Sequence, residues 1–168
     1  MPAMQAMLGT AYTWEAGAVC SRPGARGQGW HADAMHSPYS FDGETGTGHL
    51  FCVFIPLVPL ELPVQAADGA IQHGRGCTGF WPGSHKYELC CNLGALAANH
   101  LHAAIPGAPM AAGSALVYDA RTVHCGSPND AYSLTPEEAQ RPILQITYRS
   151  AQSSKMNMYG AEQVLYDV

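Results

Sequence analysis

Leu50-Phe51-Cys52-Val53-Phe54-Ile55-Pro56-Leu57 is an unbroken apolar run of strand length. A run without alternation reads as a β-strand covered on both faces. Outward from it, short apolar segments recur at residues 10–14, 18–21, 49–58, 78–81, 101–105, 114–119, 122–125 and 143–148, separated by Gly and Pro clusters. Such punctuation belongs to a barrel or sandwich. The expectation is a mainly β chain with enough strands to close a small double-stranded β-helix, a jelly-roll of the cupin-like kind, and few short helices. The helical candidates are residues 88–99, after the turn Trp81-Pro82-Gly83-Ser84-His85, and a turn opened by Thr135-Pro136-Glu137-Glu138. There Thr135 is placed to cap and Pro136 to occupy the first helical position.

Length and composition agree with one core. The 168 residues, 47% of them hydrophobic, suit a single domain over residues 1–168, without repeats or low-complexity tracts. Charged residues make up only 12% and the net charge is −5, so there is no basic patch for a nucleic-acid scaffold or an anionic membrane. The same scarcity of Lys and Arg argues against a bulky polyanionic substrate. Cys20, Cys52, Cys77, Cys90, Cys91 and Cys125 form no CxxC pair, which fits a reducing compartment. Residues 1–8 lack a basic start and a long apolar stretch, and the run at 50–62 is short and broken by Pro56 and Pro59. A soluble, cytoplasmic protein without membrane partner is expected.

The chemistry concentrates in His31-Ala32-Asp33 and in Tyr118-Asp119-Ala120-Arg121-Thr122-Val123-His124-Cys125-Gly126. Alternate residues of an extended segment share a face, so His31 and Asp33 can converge on one ion while Ala32 points away. With His124 from another strand they make two imidazoles and one carboxylate, the facial set that holds Fe(II) and leaves other positions open. Arg141 begins the strand-like run Arg141-Pro142-Ile143-Leu144-Gln145-Ile146-Thr147-Tyr148. A guanidinium inside a barrel is costly unless it meets an anion, and a dicarboxylate co-substrate would supply one. Arg149 shares its face by period two and is the rival.

Other residues carry blander expectations. His100-Leu101-His102 is a second same-face pair without a nearby carboxylate, and His36, His49 and His73 lie in polar, Gly-rich surroundings. Ser84 and His85 are expected to bond backbone in a structural turn, Asp119 and Arg121 to brace the turn before His124, and Cys125 to be a small buried side chain. Thr78 and Trp81 cannot share a strand face, so at most one faces a pocket. Asp42 and Glu44 sit in a Gly-rich stretch, 41–48, expected to be mobile and to touch substrate.

In order and approximate spacing, His31-Ala32-Asp33, Phe54-Ile55-Pro56-Leu57, Gly76-Cys77-Thr78-Gly79-Phe80-Trp81-Pro82-Gly83-Ser84-His85, the 119–129 segment and Arg141 resemble the phytanoyl-CoA dioxygenase family. The resemblance covers roughly residues 28–149. It implies a double-stranded β-helix, Fe(II) and 2-oxoglutarate as cofactors with ascorbate as reductant, and O2 as partner to a small-molecule substrate. It further implies His31, Asp33 and His124 as catalytic iron ligands and Arg141 as the cofactor-binding grip on the distal carboxylate of 2-oxoglutarate. The implied reaction is hydroxylation of an unactivated carbon with release of succinate and CO2. Related iron halogenases put a small residue where Asp33 stands, so hydroxylation is favoured over halogenation.

Two departures mark this chain. The interval from His124 to Arg141 is longer than usual in the family, and the helical region that normally precedes the HxD is largely absent, only thirty residues standing there. The alternative is therefore a shortened, non-catalytic metal- or acid-binding β-barrel of the same fold. A third possibility, a cupin-like metalloenzyme without keto acid, requires Arg141 to face solvent. Protonation of the histidines is expected to weaken metal binding as pH falls. Substrate identity and oligomeric state are not encoded in these patterns.

Overall fold

The computed structural model describes residues 2–34, 50–62, 64–65, 67–68, 71–72, 74–86, 107–132 and 134–150. The chain runs through α1 (Pro2–Leu8), β1 (Tyr12–Ser21), β2 (Leu50–Pro56), β3 (Val64–Gln65), β4 (Ile71–Gln72), β5 (Thr78–Phe80), β6 (Leu116–Asp119), β7 (His124–Gly126) and β8 (Arg141–Ser150). It is a mainly β, double-stranded β-helix. Four strands form the larger antiparallel sheet in the order β1-β8-β2-β6, while β5 and β7 pair in a smaller sheet and β3 and β4 make a short hairpin.

The apolar run at residues 50–57 becomes β2, flanked by β8 on one edge and β6 on the other. Leu50 and Cys52 are buried with Ala34, Tyr118 and Ala120, and Phe54 packs against them. Val53, on the opposite face, is buried with Met4, Leu8 and Tyr148, and Phe51 and Ile55 pack there too. Burial on both faces is therefore why the run shows no alternation. It ends at Pro56; Leu57 lies beyond the strand and is 55% exposed.

The expected segments at 10–14 and 18–21 are one strand, β1, in continuous register with β8 from Tyr12↔Ser150 to Ser21↔Arg141. Ten successive pairings to an equally long partner carry the strand through Gly17, against which the local signal pointed. The helix α1 was not anticipated. Pro2 starts it without losing a needed N–H, Met4 and Leu8 share a face one turn apart and are both buried, and Gly9 leaves it at φ 77°.

At residues 135–139 the Thr135 motif makes a single turn rather than a helix. Glu138 Oε2 accepts from the Thr135 hydroxyl (2.8 Å) and from Thr135 N (3.2 Å), and Glu138 N donates back to Thr135 Oγ1 (3.4 Å), a reciprocal box. Residues 88–99 and 101–105, His100 and His102, His36, His49, His73 and the 41–48 stretch lie outside the described residues.

Asn129 ties the smaller sheet's outgoing loop to the larger sheet. Its side chain, 0% exposed, donates to Ser21 O (3.1 Å) at the end of β1 and to Ala139 O (2.8 Å) just before β8. Its own carbonyl accepts from Gly24 N (2.8 Å). Asn129→Ala strands two carbonyls, each worth about 1–3 kcal/mol when buried unpaired, so a loss of about 3 kcal/mol is expected. A lower urea midpoint with an unchanged slope would record it.

Candidate metal centre

Three-residue β7 is held from both sides. Phe80 of β5 lies opposite His124, and on the other edge His31 exchanges both backbone bonds with His124, N to O at 2.9 Å and O to N at 2.8 Å. That exchange brings the two imidazoles to 4.5 Å between ring centres. Asp33, two residues on, is anchored by its N–H to Ala120 O (2.8 Å). Ala120 is presented by a tight turn in which Arg121 grips Asp119 at both oxygens, 3.0 and 2.8 Å, and donates its backbone N–H to Oδ1 at 2.9 Å. Asp119 and Arg121 thus have the bracing role expected of them.

The facing atoms suit a divalent cation. His31 Nδ1 lies 2.8 Å from Gly29 O and His124 Nδ1 2.9 Å from Thr122 O. A carbonyl only accepts, so both Nδ1 atoms carry the proton and each Nε2 presents its lone pair. Those Nε2 atoms stand 3.8 and 3.6 Å from Asp33 Oδ1 and Oδ2 respectively. All the ligand atoms lie within 4.8 Å of one another, whereas two bonds of about 2.1 Å to one ion allow at most about 4.2 Å between ligands. Small side-chain movements complete the set. Burial pulls the His124 imidazole below its ordinary value, against the pull of Asp33, which favours the neutral, ligating form. His124 is buried while the side chains of His31 and Asp33 are 32% and 26% exposed, so among the described residues the cluster is closed behind and open in front.

Aromatic rings form the back wall. Phe80 stacks on His124 at 5.8 Å and 24°, and Phe54 meets it edge-on at 6.5 Å. Thr78 shares the Phe80 face, whereas Trp81 is buried edge-on against Trp30. The Tyr118 hydroxyl donates to Asp33 Oδ2 (2.9 Å), and the Cys52 thiol reaches the same oxygen at 3.7 Å. Burial, then the Asp33 charge, push the Cys52 thiol up to about 12, so it stays protonated. Sequence reasoning missed both residues. The available signal was Tyr118 itself, since a phenol at an inward strand position needs a polar partner.

Ser84 behaves as expected of the turn: its hydroxyl donates to Trp81 O (2.6 Å) and accepts from Val123 N (2.7 Å), fixing the segment that leads into His124. Cys125 is half-buried rather than buried, because alternation along β7 turns it away from the His124 face.

Arg141, at the start of β8, does not face solvent. Its Nη1 donates to Arg75 O (2.7 Å) and Ser127 O (2.9 Å), and its Nε is buried with no partner. Gly76 makes room for it: φ is +77°, and a Cβ there would collide with Pro128 O and stand 2.7 Å from Nη1. Nη2 lies 3.6 Å from where a Cβ on Gly126 would be. Gly126 follows His124 by two residues on the same face, roughly 7 Å along the strand. Burial lowers the guanidinium's pKa from its ordinary value, and among the described residues no carboxylate pairs with it. A half-buried cation with a buried, orphaned N–H, one short step from a histidine cluster, fits a bound carboxylate. Arg149 stands at the far end of β8, opposite Thr13 and Leu50.

The sequence profile described as "Phytanoyl-CoA dioxygenase (PhyH)" matches residues 1–132. The chain belongs to the phytanoyl-CoA dioxygenase family. The family match stops before Arg141, whose place therefore rests on the geometry above. No curated protein sequence matches the chain. Among solved structures it is similar to AviO1 from Streptomyces viridochromogenes Tue57, with 20% identity and TM-score 0.60 over 88% of this chain and 55% of that one. It is likewise similar to the non-heme alpha ketoglutarate dependent epimerase SnoN from nogalamycin biosynthesis (22% identity, TM-score 0.56, 88% and 51%). A third is EvdO2 from Micromonospora carbonacea var. aurantiaca complexed with 2-oxoglutarate (18%, 0.54, 88% and 56%). These likenesses establish a shared fold. The chain spans about half the length of each of these structures.

Proposed function

We propose that this chain is a single oxygenase domain, residues 1–168, that uses Fe(II), 2-oxoglutarate and O2 to hydroxylate an unactivated carbon of a small organic substrate. The observation that carries the proposal is the pairing of two sites: the His31, Asp33 and His124 cluster, and the Arg141 guanidinium beside Gly126 of β7, whose Nε is buried without a partner among the described residues. Family membership supports the same reading. Fe(II) held there would supply, with 2-oxoglutarate and O2, the oxidant for C–H hydroxylation, with succinate and CO2 as by-products.

The chain's own residues have separable roles. His31 and His124 bind through Nε2, each ring fixed by its Nδ1–H on a backbone carbonyl. Asp33 adds the negative charge that makes the site selective for a cation. Arg141 takes the remote carboxylate of the co-substrate, which sets the keto acid's direction relative to the histidines. Phe54 and Phe80 keep water from the back of His124. Retention of Asp33, rather than a small residue, favours hydroxylation over halogenation. Ascorbate would serve only to keep the metal reduced.

The test is an anaerobic titration of the chain with Fe(II) and 2-oxoglutarate, followed by admission of O2 and assay of succinate. A weak visible charge-transfer band and subsequent succinate are expected. A band without succinate on any substrate would instead identify a non-catalytic metal- and acid-binding barrel. No band from folded, iron-loaded protein would overturn the co-substrate assignment.

A further inference from the structure

The two oxygens of Asp33 have unequal surroundings. Each faces an imidazole, Oδ1 at 3.8 Å from His31 Nε2 and Oδ2 at 3.6 Å from His124 Nε2, but among the described residues only Oδ2 also has donors, accepting from the Tyr118 hydroxyl at 2.9 Å and approached by the Cys52 thiol at 3.7 Å. Both donors are firmly placed. Tyr118 is buried on β6, packed between Phe54 (5.2 Å) and Phe80 (5.1 Å), and Cys52, 1% exposed, is its cross-strand partner in β2. A phenol wedged between two rings cannot swing away, so its proton is aimed at one carboxylate oxygen.

We infer that Tyr118 is a positioning residue: with Cys52 as a weaker second donor, it occupies Asp33 Oδ2 so that the carboxylate meets a metal through Oδ1 alone. This rests on the metal assignment proposed above. Its consequence is a count of positions. Two imidazoles and one carboxylate oxygen leave half of an octahedral ion free, enough for a chelating keto acid and O2; a carboxylate binding through both oxygens would remove one of those positions. Donors that orient a ligand in this way typically change metal affinity by about ten- to a hundredfold when deleted. The Tyr118 hydroxyl is also 3.5 Å from His124 Nε2, close enough that it must point its proton at Asp33 and not at the metal for the set to work.

Cobalt(II) tests this without turnover, because it binds such ligands, does not react with the keto acid, and has visible bands that report coordination number. Wild type, Tyr118→Phe, Cys52→Ala and the double variant are titrated as full chains after their metal-free melting temperatures are measured. Tyr118→Phe removes one oxygen and keeps the ring. Expected are a Co(II) affinity about tenfold or more below wild type for Tyr118→Phe, a smaller loss for Cys52→Ala, the largest in the double variant, and visible bands altered in Tyr118→Phe. Wild-type affinity and bands in all three variants would overturn the inference. So would a phenolate-to-metal band in the Fe(III)-loaded wild type that is lost in Tyr118→Phe, since Tyr118 would then be a ligand. If wild type itself fails to bind Co(II), the metal assignment fails first; if wild type binds and the variants match it, only the role of Tyr118 fails.

Discussion

Replacing Asp33 with alanine is expected to lower the chain's affinity for Co(II) or Fe(II) by about a hundredfold or more, with succinate formation falling to background. A structural four-ligand zinc site is worth about 10–16 kcal/mol, roughly 3 kcal/mol per ligand, and each 1.4 kcal/mol is a factor of ten. Asp33 carries the cluster's negative charge, so its removal also deprives a cation of its Coulomb partner. The fold should survive. Asp33 is partly exposed, its backbone N–H to Ala120 is untouched, and the Tyr118 hydroxyl left behind has His124 Nε2 at 3.5 Å as an alternative acceptor. Calorimetric titration of metal into the apo variant, beside its thermal melt, separates ligand loss from unfolding. An Asp33→Ala chain that binds metal as wild type does would dismiss the His31, Asp33 and His124 set.

Arg141→Ala should raise the 2-oxoglutarate concentration needed to develop the charge-transfer band by about a hundredfold while leaving Fe(II) binding nearly intact. Losing a buried, charge-assisted contact to a carboxylate costs about 2–5 kcal/mol, and the roughly 7 Å between the guanidinium's surroundings and His124 separates the two functions. Arg141→Lys should restore little, because an ammonium lacks the planar fork that matches a carboxylate. The alanine variant should also be less stable, since Arg75 O and Ser127 O lose their donor. Stability must therefore be measured alongside. Arg149→Ala is the control: eight residues further on along β8, roughly 27 Å by strand geometry, it should leave 2-oxoglutarate binding within about twofold. The reverse pattern would transfer the role to Arg149.

How much of this was legible beforehand differs by residue. The HxD spacing revealed that His31 and Asp33 share a face, because period two is a property of any extended backbone. The Thr135 motif foretold its capping hydroxyl, though not that the candidate helix would stop at one turn, and the turn at Gly83 foretold the Ser84 hydroxyl contacts, for the same local reason. Less visible was β1, where Gly17 argued for a break that pairing with β8 overrides, and α1, whose Met4 and Leu8 gain their partners only from β2 and β8. Neither is stable by itself, and both depend on burial supplied by distant chain.

By itself, then, the sequence determined the mainly β class, the strand covered on both faces, the family and the identity of four candidate site residues, all of which follow from short-range periodicity or ordered motifs. Tertiary structure decided what those residues can do. It set His31 directly opposite His124, put carbonyls behind both Nδ1 atoms, aimed a phenol 85 residues away at one oxygen of Asp33, and cradled Arg141 over Gly76. The physical reason is register. Which atoms meet across a sheet depends on the alignment of whole strands, fixed by the summed burial of both faces, and no local pattern of residues contains that sum.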